Sequence, residues 1–218
     1  MTTALMSPYF HHWLWALPVG YFLGSIPFGL ILGKRLGRQD VREAGSGNIG
    51  AANVTRVAGA FAGVLTLALD AAKGALPVWL AARVSGNQAA WMMAAALAAI
   101  VGHCFSIWLG FRGGKGVATA AGAFLVICPA AAGLAILLFV VVVLFWRFTS
   151  LGSITAVAAM PLLVYLLWAP GHAPPLVVSF GTSLAALLII ERHRANLRRL
   201  LRGEEPRLTF ARKNRTRV

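Results

Sequence analysis

Long apolar stretches, separated by short polar segments, dominate this sequence of 218 residues. A helix needs about 20 apolar residues to cross the hydrocarbon core of a bilayer. Hydrophobic residues make up 59% of the chain and charged residues 12%, and so few polar side chains could not cover a soluble core of this size. The sequence therefore predicts an all-α fold, a polytopic integral membrane helix bundle.

Seven apolar runs approach the length of a membrane span. The run from Val117 to Trp146 is too long for one ordinary span, and Pro129 divides it into two. Pro18 and Pro27 predict kinks in the first run. The predicted spans lie near 13–33, 57–82, 89–109, 117–128, 130–146, 151–168 and 176–190. In a five-span alternative, the segment 117–128 and its neighbours are re-entrant.

Basic residues are concentrated in a few segments. Ten of the 20 Lys and Arg residues lie from Arg192 onwards, and none precedes Lys34. The positive-inside rule therefore places the N-terminus outside and the C-terminus in the cytoplasm. It also places inside the segments 34–56, 110–116 and 147–153. The net charge of +14 thus indicates membrane orientation and anionic lipid contact rather than nucleic-acid binding.

The same pattern divides the chain into two parts. We predict a transmembrane domain over residues 1–191 and a cytoplasmic basic tail over residues 192–218. All the polar inner segments then meet on one face of the membrane, where they could form a shared site.

The first polar segment with chemical potential is GSGNIGAAN, residues 45–53, followed by Arg56. Glycines let backbone N–H groups approach an anion, and the N-terminus of a following helix adds a favourable dipole. The segment matches G-x-G-x-x-G, with Asp70 twenty residues further on. No strand precedes it and Asp70 lies in an apolar run, so we exclude a Rossmann dinucleotide site.

Two further segments combine cations with hydrogen-bonding groups. The segment GGKG, residues 113–116, places glycines around Lys115, with His103 upstream; such a loop suits a phosphate dianion. It is not a Walker A loop, because a leucine occupies the first glycine position. His193 and Asn196 are spaced i and i+3, so we expect them on one helix face, where histidine could accept a proton.

An ionisable pair lies inside the second predicted span. Asp70 and Lys73 each cost about 2.5–3.5 kcal/mol there on insertion scales, so a partner or a role is expected. Their i, i+3 spacing allows an ion pair, with support of the site as a second reading. The sequence has no H-x-x-x-x-D motif and no aspartate cluster that could hold Mg²⁺.

Together the polar segments resemble the bacterial acyl-phosphate:glycerol-3-phosphate acyltransferase family. The resemblance runs from Pro27 to Glu204. The matching residues are SGNIGAANV at 46–54 with Arg56, GH at 102–103, FRGGKGVAT at 111–119, RH at 192–193, Asn196 and GE at 203–204. The departures are an alanine at 52 where threonine is usual, a serine at 106 where proline is usual and an arginine at 112 where lysine is common.

The resemblance implies a seven-helix protein of the bacterial inner membrane, with its active site facing the cytoplasm. It implies transfer of a fatty acyl group from acyl phosphate to the 1-hydroxyl of sn-glycerol 3-phosphate. The products would be lysophosphatidate and phosphate, in the first acylation of phospholipid biosynthesis. No metal or cofactor is implied. The expected partners are the bilayer, the two substrates and a soluble enzyme that produces acyl phosphate; no nucleic acid is expected.

The resemblance also implies site residues. Glycerol 3-phosphate would be surrounded by Ser46, Arg56, Lys115, Ser150, His193 and Asn196. Acyl phosphate would be held by Asn48, Gly50, Asn53 and Gly114. The expected catalytic residues are His193, Ser46 and Lys115. Three hypotheses for the chemistry stay open: His193 accepts the hydroxyl proton, the phosphate of the donor accepts it, or Ser46 acts as a covalent nucleophile.

Two other functions also fit an apolar chain with polar loops. A membrane transporter of an organic phosphate is the main alternative, because kinked helices and intramembrane charges suit permeation. The sequence shows no internal repeat, however, and its polar motifs cluster on one side rather than at mid-membrane. A structural membrane protein anchored by a basic tail would explain the tail but not the glycine-rich loops.

Overall fold

A computed structural model describes residues 13–168 and 174–208, and every regular element in this part of the chain is helical. The helices are α1 (Trp13–Ser25), α2 (Phe28–Gly37), α3 (Ala51–Ala58), α4 (Ala60–Ser85), α5 (Ala89–Cys104), α6 (Val117–Ile127), α7 (Pro129–Trp146), α8 (Thr149–Leu167), α9 (Leu176–Arg192) and α10 (Arg194–Leu201). A 3-10 turn, Ile107–Leu109, lies between α5 and α6.

Long apolar helices follow the predicted spans. Five segments are long and apolar enough to cross a membrane: Trp15–Gly37, Ala60–Ser85, Ala89–Leu109, Pro129–Trp146 and Thr149–Leu167. The pair α9 and α10, bent by 60°, makes a sixth if counted as one span, and α6 has only 11 residues. The predicted all-α membrane bundle is confirmed. The count of seven spans, the orientation of the termini and the division at residue 191 stay predictions.

The second predicted span begins too early. The apolar run from residue 57 was expected to be one helix, but α3 ends at Ala58 and α4 begins at Ala60. Gly59 lies between them with a φ of 92°, a conformation that residues with a Cβ atom rarely adopt. The last residues of the predicted 34–56 loop therefore form a helix of their own.

One other boundary differs from the prediction. The turn at 147–153 is shorter, because α8 begins at Thr149 and includes Ser150 in its first turn. The candidate span Ala89–Leu109 agrees with the prediction, and within it the helix α5 ends at Cys104. Beyond it, the chain is tied to α1, because the Ser106 hydroxyl donates to Ser25 O at 2.6 Å and Tyr21 donates to Phe105 O at 2.8 Å.

The two prolines of the first span, Pro18 and Pro27, affect the helix differently. Pro18 lies inside the uninterrupted helix α1. Pro27 separates α1 from α2, because it has no N–H to donate and disfavours a helical conformation of the preceding Ile26. The predicted distortion at Pro27 is therefore an interruption of the helix within one candidate span, and it leaves polar backbone groups inside the bundle.

Glycines bring several helix backbones into direct contact. A Cβ atom on Gly24 of α1 would overlap with the backbone of Ala99 in α5. A Cβ atom on Gly74 of α4 would overlap with the backbone of Thr119 in α6. Small residues at helix interfaces are typical of membrane bundles, where close backbone approach replaces the hydrophobic driving force.

Large apolar side chains on the outside complete the membrane surface. Phe145 of α7 is 77% exposed and Leu176 of α9 is 89% exposed. Exposure of such side chains to water would be unfavourable, whereas contact with lipid chains is not. The bundle therefore has close backbone contacts at glycines in its interior and many large apolar side chains on its exterior.

Replacing Gly24 with alanine should lower the melting temperature of the detergent-solubilised protein. The added methyl group has no room against Ala99, and overpacking of this kind costs about 1–3 kcal/mol. Gly133→Ala is the matched control, because a Cβ atom there meets no atom within 4 Å. Equal melting temperatures for the two variants would contradict the close contact of α1 and α5.

Candidate functional site

Asn53, buried on α3, organises the first glycine-rich segment. Its Nδ2 donates to Val41 O at 2.8 Å, Ala44 O at 3.1 Å and Asn48 O at 2.9 Å, while its Oδ1 accepts from the N–H of Ser46 at 2.8 Å. A buried amide with these bonds fixes the shape of the loop. The predicted contact of Asn53 with acyl phosphate stays a prediction, and it would have to share groups that are already bonded.

The same segment ends at the N-terminus of α3. Gly45 and Gly47 have φ values of 62° and 69°, which favour glycine. Asn48 Oδ1 accepts from the N–H of Gly50 at 2.8 Å, and Gly50 precedes α3 in an extended conformation. The N–H of Asn53 already donates to Gly50 O at 3.0 Å, so the helix start offers an anion the N–H groups before it, those of Ala51 and Ala52.

The second glycine-rich segment differs from a loop that cradles phosphate with backbone N–H groups. Gly113 donates its N–H to Cys104 O at 3.1 Å, and Gly114 donates to His103 O at 3.0 Å. These N–H groups therefore point back into the protein, and Gly114 has none left for a ligand. Gly114 is instead required for close packing, because a Cβ atom there would overlap with His103 Nε2.

Lys115 leads into a chain of polar contacts with the C-terminal segment. Its Nζ donates to Asn196 Oδ1 at 2.5 Å, and Asn196 Nδ2 donates to Glu205 Oε1 at 2.7 Å. Arg199 Nε donates to the other oxygen, Glu205 Oε2, at 2.7 Å. The structure thus brings Lys115 and Asn196 together, as predicted, and adds an acid that joins them to an arginine.

The surroundings of Lys115 disfavour its charged form and lower its pKa. Burial lowers the pKa of Lys115 to about 8, and the Glu205 carboxylate opposes this shift. The neighbouring guanidinium groups of Arg199, Arg192 and Arg56 lower it further. A half-buried cation among like charges is stabilised by any anion that enters the site.

Glu205 carries a negative charge at the same place. Burial raises the pKa of its carboxyl group, but the polar side chains of Ser150, Asn196 and Arg199 outweigh this effect and leave the pKa lowered. Glu205 is therefore ionised at neutral pH and partly balances the surrounding cations.

Arg192 holds the carbonyl side of the second segment. Its guanidinium donates to Gly113 O at 3.1 Å and to Gly114 O at 3.2 Å. The same group lies over the Phe105 ring, with Cζ 5.2 Å from the ring centroid. These contacts fasten the residues directly before Lys115 to the end of α9.

His193 lies at the junction of α9 and α10, so the prediction that it shares one continuous helix face with Asn196 is wrong. The helix breaks there, with φ −99° and ψ 4°, and the two axes differ by 60°. Both side chains are nevertheless buried in the same region, at 2% and 7% exposure. The bend turns Asn196 towards Lys115, which a straight helix need not do.

The protonation of His193 follows from its surroundings. Its Nδ1 lies 2.7 Å from Ile189 O, and because a carbonyl only accepts, Nδ1 carries the hydrogen and Nε2 is free to accept one. Burial lowers the pKa of His193 to about 4, and the charge of Lys115 contributes to this shift. The imidazole is therefore neutral at pH 7.

Of the remaining predicted residues, Ser150 and Arg56 lie near this centre, and Ser46 lies on the first loop. Ser150 Oγ is buried beside Glu205 and interacts with its carboxylate, which lowers the pKa of that carboxyl group. Arg56 is exposed, and its Nη1 lies 3.4 Å from Asn53 Oδ1. Ser46 is exposed on the first loop and bonded to the same Asn53 oxygen through its N–H.

The sequence interpretation assigned no role to Glu205, Arg192 or Arg199. A signal for Glu205 was present, because it is one of only six acidic residues and lies in a strongly basic segment. The arginines could not be separated from the topology-setting charges around them by sequence alone. Among the described residues, no group of three or more His, Cys, Asp or Glu side chains is arranged to hold a metal ion.

Known proteins share both the sequence and the architecture. A solved structure of PlsY (YgiH), described as an integral membrane glycerol 3-phosphate acyltransferase in its glycerol 3-phosphate form, superposes with a TM-score of 0.83 at 39% identity over 90% of this chain and 95% of that one. Its lysophosphatidic acid form gives a TM-score of 0.81 at 38% identity, with the same coverage.

Curated relatives and a family model agree with this match. The glycerol-3-phosphate acyltransferase of Syntrophotalea carbinolica is 49% identical over 88% of this chain and 95% of its own length. That of Erythrobacter litoralis is 48% identical over 87% of this chain and 92% of its own length. The family model described as glycerol-3-phosphate acyltransferase matches residues 14–203. This integral membrane chain therefore belongs to the glycerol-3-phosphate acyltransferase family.

Proposed function

We propose that this protein transfers a fatty acyl group from acyl phosphate to the 1-hydroxyl of sn-glycerol 3-phosphate, giving lysophosphatidate and phosphate. The observation that carries the proposal is the half-buried Lys115, held by Asn196 and surrounded by arginines at the polar end of the bundle. Such a group of cations suits substrates that each carry a phosphate. Because the chain belongs to an acyltransferase family, we favour acyl transfer over the alternative of a phosphate transporter.

The proposed site for glycerol 3-phosphate is centred on Lys115. Asn196 and His193 face it from the bend between α9 and α10, and Arg56 adds charge from α3. The buried hydroxyl of Ser150, beside Glu205, would contribute a further hydrogen-bonding group. Ser46 would contribute from the adjoining loop.

The proposed site for the phosphate of acyl phosphate is the start of α3. Gly50 and Asn48 shape this helix N-terminus, and glycines beside it let the backbone approach an anion. The acyl chain would remain among the apolar helices, while the two phosphates lie at the polar end. We place this end on the cytoplasmic side of a bacterial inner membrane, in line with the charge distribution of the loops.

The proposed reaction is a direct attack on an activated carbonyl. The 1-hydroxyl oxygen bonds to the acyl carbon, the bond from that carbon to the phosphate oxygen breaks, and phosphate leaves. His193 Nε2 would accept the hydroxyl proton, since the Nδ1 hydrogen is directed at Ile189 O. Lys115 and the arginines would offset the repulsion between the two phosphates. An anhydride donor requires neither a metal nor a covalent enzyme intermediate.

Purified protein supplied with palmitoyl phosphate should release phosphate only when glycerol 3-phosphate is present, with an equal amount of lysophosphatidate. Lys115→Met should lose this activity because it removes the central cation. Arg194→Gln is the matched control, since Arg194 is an exposed cation paired with Glu191 on the outer face of the same region. Folded protein that binds glycerol 3-phosphate but forms no lysophosphatidate from palmitoyl phosphate would contradict the assignment of acyl phosphate as donor.

Binding of glycerol 3-phosphate should weaken above pH 8. The dianion favours charged Lys115, whose pKa is about 8 in the empty site, so the ligand binds less well once that proton is lost. Loss of one proton predicts a Kd about fivefold higher at pH 9 than at pH 8. Equilibrium binding without an acyl donor measures it, and Lys115→Arg should show no such rise. A wild-type Kd that is constant to pH 9.5 would contradict the role of Lys115.

His193→Ala should lower kcat by about 10²–10⁴-fold while the Kd for glycerol 3-phosphate changes little, because removal of a proton acceptor affects the chemical step. The measurement is turnover at saturating glycerol 3-phosphate together with equilibrium binding. Near-normal turnover would instead assign the proton to the phosphate of the donor. A soluble enzyme that makes acyl phosphate remains a proposed partner of this reaction.

A further inference from the structure

A buried ionisable cluster lies beneath the proposed site and has no part in the reaction described above. Asp70 and Lys73 of α4 and His103 of α5 are 2%, 4% and 4% exposed. Lys73 Nζ lies 2.8 Å from Asp70 Oδ1, which forms the predicted ion pair. The need to balance the charge of Lys73 explains why Asp70 is present, but it does not explain why His103 lies beside Asp70.

Lys73 is anchored by more than the aspartate. Its Nζ donates to Ile26 O at 2.7 Å, at the break between α1 and α2, and it lies 5.7 Å from the centroid of the Phe28 ring. The lysine therefore satisfies a carbonyl that the break at Pro27 leaves inside the bundle. These contacts hold Lys73, and through it one side of the Asp70 carboxylate.

His103 connects this cluster to the second glycine-rich segment. Its Nδ1 makes no hydrogen bond to any residue that the structure describes, and it lies 3.8 Å from Asp70 Oδ1. The other side of its ring packs against Gly114, where Nε2 occupies the space that a Cβ atom would need. The backbone of His103 also accepts the N–H of Gly114 at 3.0 Å. The ring thus lies between the Asp70 carboxylate and the backbone that precedes Lys115.

We propose that Asp70 is a positioning residue for the glycerol 3-phosphate site, acting through the His103 ring on the Gly113–Gly114 segment and so on Lys115. The carboxylate orients the ring electrostatically, the ring sets the position of Gly114, and Arg192 holds the same segment from the carbonyl side. The inference rests on the proposed function, because it takes Lys115 as the residue that meets the phosphate.

The test measures binding of radiolabelled glycerol 3-phosphate without an acyl donor, together with kcat and KM. In Asp70→Asn the Kd and KM should rise about tenfold, while kcat changes less than threefold. The key variant is the double substitution Asp70→Asn with Lys73→Gln. It removes both charges but keeps a donor for Ile26 O, so it remains testable if the single variant does not fold.

The double variant separates positioning from charge balance. If Asp70 only neutralises Lys73, the double variant should bind as tightly as the wild type, and that result would overturn the proposal. If Asp70 positions the loop, its Kd should stay about tenfold raised. Adding His103→Asn to Asp70→Asn should then raise the Kd no further than the larger single effect, because the two residues act in one chain. Fully additive effects would also count against the proposal.

Thr66→Val is the matched control. Thr66 is fully buried one turn before Asp70 on α4, and its hydroxyl bonds only within the helix, to Ala62 O at 2.7 Å. The Thr66→Val variant should bind glycerol 3-phosphate with the wild-type Kd. If its Kd rose as much as that of Asp70→Asn, the cause in both variants would be a loosening of α4. Wild-type protein that fails to bind glycerol 3-phosphate would sink the proposed function itself. If the wild type binds glycerol 3-phosphate and the Asp70 variants bind it with the same Kd, only the positioning role of Asp70 is overturned.

Discussion

The contact between Lys115 and Asn196 joins two polar segments that are 81 residues apart, and the proposed site depends on it. A cation can be kept among apolar helices only if polar groups replace the water that it loses. Asn196 and Glu205 supply part of that replacement, and the carboxylate also accepts from Arg199. The remaining positive charge is what a phosphate would neutralise. The energetic cost of an empty site and its affinity for anions therefore have the same origin.

Close helix packing supports that arrangement. Gly24 and Gly74 let the backbones of α1 and α5, and of α4 and α6, touch directly. The break at Pro27 then brings polar backbone groups into the bundle, where Lys73 and Ser106 satisfy the carbonyls of Ile26 and Ser25. Each of these bonds ties α1 to another part of the chain. The polar interior is thus a consequence of the helix break, and it lies directly beneath the glycine-rich loop.

The long helices could be predicted from the sequence, whereas the start of α4 and the backbone directions in the segment 113–116 could not. The apolar runs predicted the long helices because their composition has no other stable arrangement in a bilayer. The start of α4 was misplaced because Gly59 interrupts an apolar run without changing its polarity. The segment at 113–116 was predicted to suit a phosphate dianion, but nothing in the sequence showed that the N–H groups of Gly113 and Gly114 donate to the carbonyl groups of Cys104 and His103. Backbone direction in a glycine loop is set by its tertiary neighbours, so composition cannot reveal it.

The sequence by itself determined that this chain is a helical membrane protein and where its polar segments lie, because the length and polarity of each run are local properties. Its motifs were sufficient to indicate the acyltransferase family. Only the tertiary structure decided that His193 lies at a bend, that Glu205 reaches Asn196, and that His103 packs between Asp70 and Gly114. These relations join distant positions in the chain, and they arise from helix packing and from the need to satisfy buried polar groups.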